Sequence, residues 1–134
     1  AGIKEASGDM SYAMKIAHCV GPDFALYSGN DDITVPLMSI GGSGVISVYA
    51  NVMPRMCHQI VADWLSGNQK RAVENHLRYL KLMNDLFLEV NPIPVKTAMN
   101  MMGLNVGPMR LPLCEMGEAN AEILREALRE AGLL

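Results

Sequence analysis

Aromatic residues make up only 5% of the chain, and its three cysteines, Cys19, Cys57 and Cys114, are too few and too scattered for a disulfide framework. No CxxC pair is present, which excludes a zinc knuckle and leaves three free thiols of a reducing, cytoplasmic setting as the expectation. A basic surplus is missing as well. Eleven Lys plus Arg stand against fourteen Asp plus Glu, a net charge of -3, so nucleic acid is not an expected partner. No apolar run reaches the roughly 18 residues of a membrane span, and a 50% hydrophobic content excludes a disordered chain. At 134 residues the chain holds one core, not two ordinary domains. An initiator Met and a polar lead-in are also lacking. Ala1-Gly2-Ile3-Lys4-Glu5-Ala6 reads at once as a buried strand, which predicts that the chain is the C-terminal part of something longer.

Three short β-forming runs are present: the one around Ile3, Phe24–Tyr27 and Val45–Val48, each bounded by Gly, Ser or Asp. Ser7-Gly8-Asp9 opens a helix with Met10, Ala13, Met14, Ala17 and Val20 on its apolar side, ended by Gly21-Pro22. Asn30-Asp31-Asp32 opens a second, ended by Gly41-Gly42. Strand, helix, strand, helix, strand at this spacing predicts parallel pairing with right-handed crossovers. After Val48 the pattern is helical only. Pro54 starts one helix, with Met56, Cys57, Ile60, Val61, Trp64 and Leu65 on one face. A long amphipathic helix is expected over 68–88 with Val73, Leu77, Leu80, Asn84 and Phe87 as its stripe. A Met-rich helix over 95–102, a connector over 103–112 and a last helix over 118–131 with Glu122–Arg125 and Glu126–Arg129 pairs complete the reading. Three strands alone leave both sheet edges open, which again suggests a missing half.

Lys4 lies within an apolar strand, where an ammonium is costly unless paired or deprotonated. A lysine of lowered pKa is the nucleophile of Schiff-base enzymes, although a strand lysine beside Glu5 also fits a surface residue or half of an ion pair. In a parallel sheet Lys4, Gly29 and Ser47 all fall near strand C-terminal ends, where α/β barrels build their sites. Asp31 and Asp32 read as helix caps rather than metal ligands. Gly41-Gly42-Ser43-Gly44 follows a helix and enters a strand, which fits a tight turn and not a phosphate loop. His18, His58 and His76 fall on three helices without ligand spacing, and no metal site is expected. The 11 methionines fit core gap-filling or a subunit contact.

Four collinear segments carry a resemblance. Gly2–Asp9 (GIKEASGD), Leu26–Asp31 (LYSGND), Gly44–Val48 with Ala50-Asn51-Val52, and Asn91–Lys96 (NPIPVK) resemble the dihydrodipicolinate synthase family in order and spacing along the whole chain. The resemblance implies an α/β fold, the C-terminal part of a (β/α)8 TIM barrel: strands six to eight and the last βα units in residues 1–52, then the final barrel helix and a C-terminal helical extension in residues 53–134. It implies a pyruvate-dependent lyase of lysine and diaminopimelate biosynthesis. Lys4 matches the lysine that forms an imine with pyruvate, and the enamine derived from it attacks L-aspartate 4-semialdehyde. Gly29 and Ile46 match pocket-lining positions whose backbone faces the substrate. No cofactor is implied beyond that covalent imine, and a homo-oligomer, tetramer or dimer, is expected.

By the same resemblance the segment that holds the pyruvate carboxylate, the tyrosines of a proton relay and an arginine for the second substrate belong to the half that is missing. Tyr27 and Tyr49 do not replace them by position. A sister aldolase, such as N-acetylneuraminate lyase or a keto-deoxy sugar acid aldolase, would share Lys4 but take a sugar acid; the Ile3–Asp9 and Asn91–Lys96 segments favour the synthase. A third reading is an inactive structural fragment.

Overall fold

β1 (Gly2–Glu5), β2 (Ala25–Ser28) and β3 (Gly44–Val45) form one parallel sheet in the order β1-β2-β3. The structure, a computed structural model, describes residues 1–134. Parallel neighbours need a crossover. Helix α1 (Met10–Cys19) supplies the first, and a 3-10 turn (Asp31–Ile33) running into α2 (Thr34–Ser39) supplies the second. β2 is paired on both sides, whereas β1 and β3 each keep one side unpaired, as the sequence predicts.

The register sets Ile3 opposite Leu26, Lys4 opposite Tyr27 and Glu5 opposite Ser28. Side chains alternate along a strand, so Leu26 and Lys4 belong to opposite faces. Leu26 packs with Ala13 of α1 and Leu37 of α2, which puts both helices on its face. Lys4 and Tyr27 lie on the other face, exposed.

Asp9 starts α1 as expected: its carboxylate accepts the N–H groups of Ser11 (2.8 Å) and Tyr12 (3.2 Å). Only Ala13 of this helix is buried, and Met14, expected inside, is 57% exposed. A small residue lets α1 approach Leu26 and Leu37 closely, and Met14, about 100° further round the helix, misses that contact.

The third strand is shorter than the predicted run over 45–48. After Val45 the chain makes one more ladder bond, Ile46 N–H to the Ser28 carbonyl at 2.8 Å, and then turns into a 3-10 turn, Tyr49–Asn51. α3 (Pro54–Leu65), α4 (Gln69–Arg78), α5 (Leu80–Asp85), α6 (Ile93–Met101) and α7 (Glu118–Glu130) follow. The expected single helix over 68–88 is two. The break is Tyr79, whose φ of -105° and ψ of 9° leave the helical region. Its ring is buried against Tyr49, with centroids 6.2 Å apart. The bend lets α4 pack along α3 while α5 reaches α7 and the Asp31–Ile33 turn.

The buried stripe differs too. Val73, Leu77 and Phe87 are exposed, whereas Ala72, His76, Tyr79, Leu82, Met83 and Leu86 face inward. A stripe that begins with a small residue and an imidazole is easily overlooked beside one of large aliphatic residues. α6 and α7 keep close to their predicted spans, and both predicted ion pairs of α7 form, Arg129–Glu126 at 3.3 Å and Arg125–Glu122.

Burial is uneven between the parts of the chain. The later helices and the Tyr49 turn, with Val35 of α2, build a core of 16 buried residues, whereas Ala13 of α1, Leu26 of β2 and Leu37 of α2 form a separate cluster of 3. Hydrophobic stabilisation therefore resides mainly in the helical region. Leu128→Ala, at a fully buried position, is expected to lower the unfolding free energy by about 2–5 kcal/mol. Leu111→Ala, at a position 94% exposed, is expected to stay within about 0.5 kcal/mol. Urea unfolding of the two variants checks this, and equal midpoints would contradict it.

Candidate active site

The C-terminal ends of three adjacent strands bring together the residues singled out from the sequence. Lys4 is the penultimate residue of β1, Gly29 follows β2 directly, and Ile46 follows β3. Hydrogen bonds continue past the strands and fix the three ends relative to one another: Gly29 N–H to the Glu5 carbonyl at 2.5 Å, and Ile46 N–H to the Ser28 carbonyl at 2.8 Å. Gly29 is required by proximity. A Cβ there would stand 2.8 Å from Lys4 Cε and 2.5 Å from Ala6 Cβ, so any side chain would displace the lysine stem.

Lys4 itself is exposed in this structure, which corrects the buried-strand reading, and its ammonium makes no ion pair or hydrogen bond. Glu5 cannot supply one, because it sits on the opposite face. Its carboxylate is buried and accepts the Ser7 N–H at 2.7 Å. Ile46 is 49% exposed. The uncovered face that carries Lys4 and Tyr27 continues toward β3, where the Tyr27 ring lies over Gly44.

Behind these strand ends lies a polar cluster that sequence reasoning assigned differently. Asp31 was expected to cap the helix it opens. Instead its buried carboxylate reaches forward along the chain: one oxygen takes the Ser47 hydroxyl, and the other accepts the N–H groups of Val48 (3.0 Å) and Tyr49 (2.9 Å). It thus caps the 3-10 turn that leads from β3 to α3. Ser47, placed near a strand end by its sequence position, points to Asp31 and accepts the Ala50 N–H at 2.8 Å. The stretch around Asp31 is anchored in turn. Thr34 donates its hydroxyl to the Asp31 carbonyl at 2.9 Å, and His76 of α4 bonds the Asp32 carbonyl at 2.8 Å.

His76 was read as structural or solvated, and it is structural; His18 and His58 are exposed. A carbonyl only accepts, so Nε2 carries the proton and Nδ1 of the neutral ring is bare and unpartnered. Burial holds the His76 pKa below the ordinary histidine value, outweighing the Asp32 carbonyl bond and the carboxylates of Asp32 and Asp31. Burial likewise pushes up the Cys57 thiol and the Tyr49 phenol, the latter helped by Tyr79. The Tyr49 hydroxyl donates to the sulfur of Met53 at 3.0 Å, inside the core, and is no proton relay for the strand ends.

The other buried carboxylate, Asp63 of α3, is outside this cluster. Arg71 of α4 holds it in a two-pronged pair, one prong at 2.7 Å, and Gln59 adds a bond at 2.8 Å. The Arg71 hydrogen bonds keep its pKa below the usual carboxylate range. Cys19, Cys57 and Cys114 are free thiols, and no three His, Cys, Asp or Glu side chains gather as metal ligands would. No helix is long and apolar enough to cross a membrane.

The model of the dihydrodipicolinate synthetase family matches residues 1–131. The chain belongs to that family. Among curated members, the 4-hydroxy-tetrahydrodipicolinate synthase of Clostridium perfringens is 52% identical over 132 residues, 98% of this chain and 45% of that protein. A solved family member described as the first monomeric dihydrodipicolinate synthase variant superposes with a TM-score of 0.93 at 43% identity, over 99% of this chain and 45% of its own. The chloride-inhibited enzyme of Acinetobacter baumannii, complexed with pyruvate, superposes with a TM-score of 0.94 at 37% identity, over 100% of this chain and 46% of its own. The chain thus spans about half the length of the family members it matches. Its three parallel strands and seven α-helices have the α/β fold of these family members and are consistent with part of a TIM barrel.

The buried neutral His76 sets a pH dependence whose sign follows from its lowered folded pKa. Between that value and the unfolded value of about 6.5, the unfolded chain binds the extra proton, so stability rises with pH. The contribution is complete above about pH 6.5 and is lost as pH falls from there toward the folded value. The melting temperature is expected to drop between about pH 7.5 and about pH 5.5, and His76→Gln, which cannot titrate, should flatten that slope. Thermal scans of both proteins check it; identical slopes would contradict it.

Proposed function

We propose that the complete protein is a Schiff-base-forming lyase that condenses pyruvate with L-aspartate 4-semialdehyde in lysine and diaminopimelate biosynthesis, and that Lys4 is its nucleophile. The observation that carries this reading is the convergence of Lys4, Gly29 and Ile46 at three neighbouring strand ends, with Gly29 leaving room for the lysine stem and for little else. The named family members and the pyruvate complex of the Acinetobacter enzyme support it.

The chemistry asks for few groups. The Lys4 amine adds to the keto carbon of pyruvate, and loss of water leaves an iminium that withdraws electrons. The neighbouring methyl releases a proton to give an enamine. Its terminal carbon attacks the aldehyde carbon of the second substrate, whose oxygen takes up a proton. Cyclisation by the substrate's own amine then frees Lys4. The imine is the electron sink in this scheme, so no cofactor is assigned. The backbone at Gly29 and Ile46 lines the pocket.

In this reading β1, β2 and β3 are strands six to eight of an eight-stranded barrel, and α4 to α7 form the helical region added to it. The groups that hold the pyruvate carboxylate come from strands outside this chain. Closure of the barrel over the Lys4 face would enclose the amine that is exposed here. Assembly as a homo-oligomer is part of the proposal, since a monomeric variant is set apart as the first of its kind in the family. The compartment proposed is the cytoplasm.

Pyruvate followed by borohydride is expected to leave a reduced adduct on Lys4 of the full-length protein. Peptide mapping by mass spectrometry checks it, and an adduct on Lys15, Lys70, Lys81 or Lys96 instead would sink the assignment. The 134-residue chain alone should form the adduct far more slowly, because its lysine is exposed and the pyruvate carboxylate is unheld.

A further inference from the structure

We infer that Asp31 is a positioning residue: its carboxylate sets the backbone at Ile46 against Gly29 and Lys4, and so fixes the pocket in which a keto acid meets the lysine. The inference rests on the Schiff-base reading of Lys4 and goes beyond it.

The placement of the clamp carries the argument. Asp31 stands two residues after Gly29, and Ser47 stands one after Ile46, so their bond joins two strand ends immediately behind the pocket-lining positions. β3 is only two residues long. Its ladder to β2 ends with the Ile46 N–H on the Ser28 carbonyl, and no further backbone bond ties residues 47–49 to β2. The Asp31 carboxylate takes over there, with the Ser47 hydroxyl and the Val48 and Tyr49 N–H groups as donors. Asp31 is 2% exposed, and Thr34 and His76 immobilise its own backbone stretch from α2 and α4. The clamp is therefore a rigid link and not a mobile surface contact. Every side-chain bond of Asp31 runs to residues 47–49, and none to Lys4 or Gly29. It acts through Ile46, so its effect is on geometry. Misplacing a pocket wall by about 1 Å costs up to about 100-fold in rate.

Asp63 offers a matched control, because its carboxylate is equally buried and equally well bonded, yet it joins α3 to α4 and touches no strand end. The test uses the full-length protein in four forms: wild type, Asp31→Ala, Asp31→Asn and Asp63→Ala. The measured quantity is the rate of pyruvate imine formation on Lys4, trapped by borohydride at short times over a range of pyruvate concentrations. Asp31→Ala strips three donors of their acceptor and is expected to slow trapping or raise half-saturation by about 10–100-fold. Asp31→Asn keeps a carbonyl for the two N–H groups and offers its amide to the Ser47 hydroxyl, so it is expected to restore trapping to within about threefold. Asp63→Ala should lower the melting temperature about as much as Asp31→Ala and leave trapping at the wild-type level.

Wild-type trapping in a folded Asp31→Ala protein would overturn the inference, as would equal loss in Asp63→Ala or failure of Asn to rescue. Should Asp31→Ala not fold, Ser47→Ala decides: slower trapping supports the clamp and an unchanged rate refutes it. Absence of any Lys4 adduct in the wild type would instead refute the Schiff-base reading on which the inference stands.

Discussion

The Asp31 carboxylate accepts three hydrogen bonds from consecutive residues that no strand pairing reaches, and one of those residues, Tyr49, is fully buried in the helical core. Of the strand residues only the half-buried Val45 packs against that core, and the sheet's own buried cluster is Ala13, Leu26 and Leu37. A polar joint therefore does what packing alone does not. It fastens the strand ends to the helices through Tyr49, and His76 of α4 fastens the Asp31–Ile33 turn through the Asp32 carbonyl. Buried donors without an acceptor cost far more than a satisfied bond gains, which makes such a joint nearly all-or-none.

This arrangement separates stability from the site. Leu82, Leu86, Leu124 and Leu128 are buried among α5 and α7, well away from Lys4 in the chain and on elements that carry no pocket residue. The strand ends are held by ladder bonds, by the close approach of Gly29 and by the clamp. Positions specified by hydrogen bonds tolerate less drift than positions specified by apolar contact, since a bond weakens steeply with distance and angle. That suits the proposed site, in which a backbone, not a side chain, would line the pocket.

Much of this was legible in the sequence. Parallel βαβ connectivity followed from three β-forming runs separated by capped apolar segments, and the Asp9 cap and the α7 ion pairs stand where residue type placed them. Lys4, Gly29 and Ser47 fell near strand ends because strand direction and spacing put them there, whereas Ile46 was singled out by the family resemblance. Two features resisted. Asp31 looked like a local cap because its partners lie 16 to 18 residues ahead, and nothing in a linear string marks a contact at that separation. The buried stripe of α4 and α5 was missed because Ala72 and His76 carry no strong hydropathy signal, whereas Val73 and Leu77 carry one and point outward.

Tyr79 makes the α4–α5 segment behave as two gears on one shaft. Each residue turns a helix by about 100°, so inserting or deleting one residue between Ala72 and Tyr79 would leave α3 meshed with its partner and rotate every later side chain out of phase. Leu82, Met83 and Leu86 would swing away from α7, and the contact of α5 with the Asp31–Ile33 turn would be lost with them. The number of residues in the segment is thus pinned at both ends by the partners it serves.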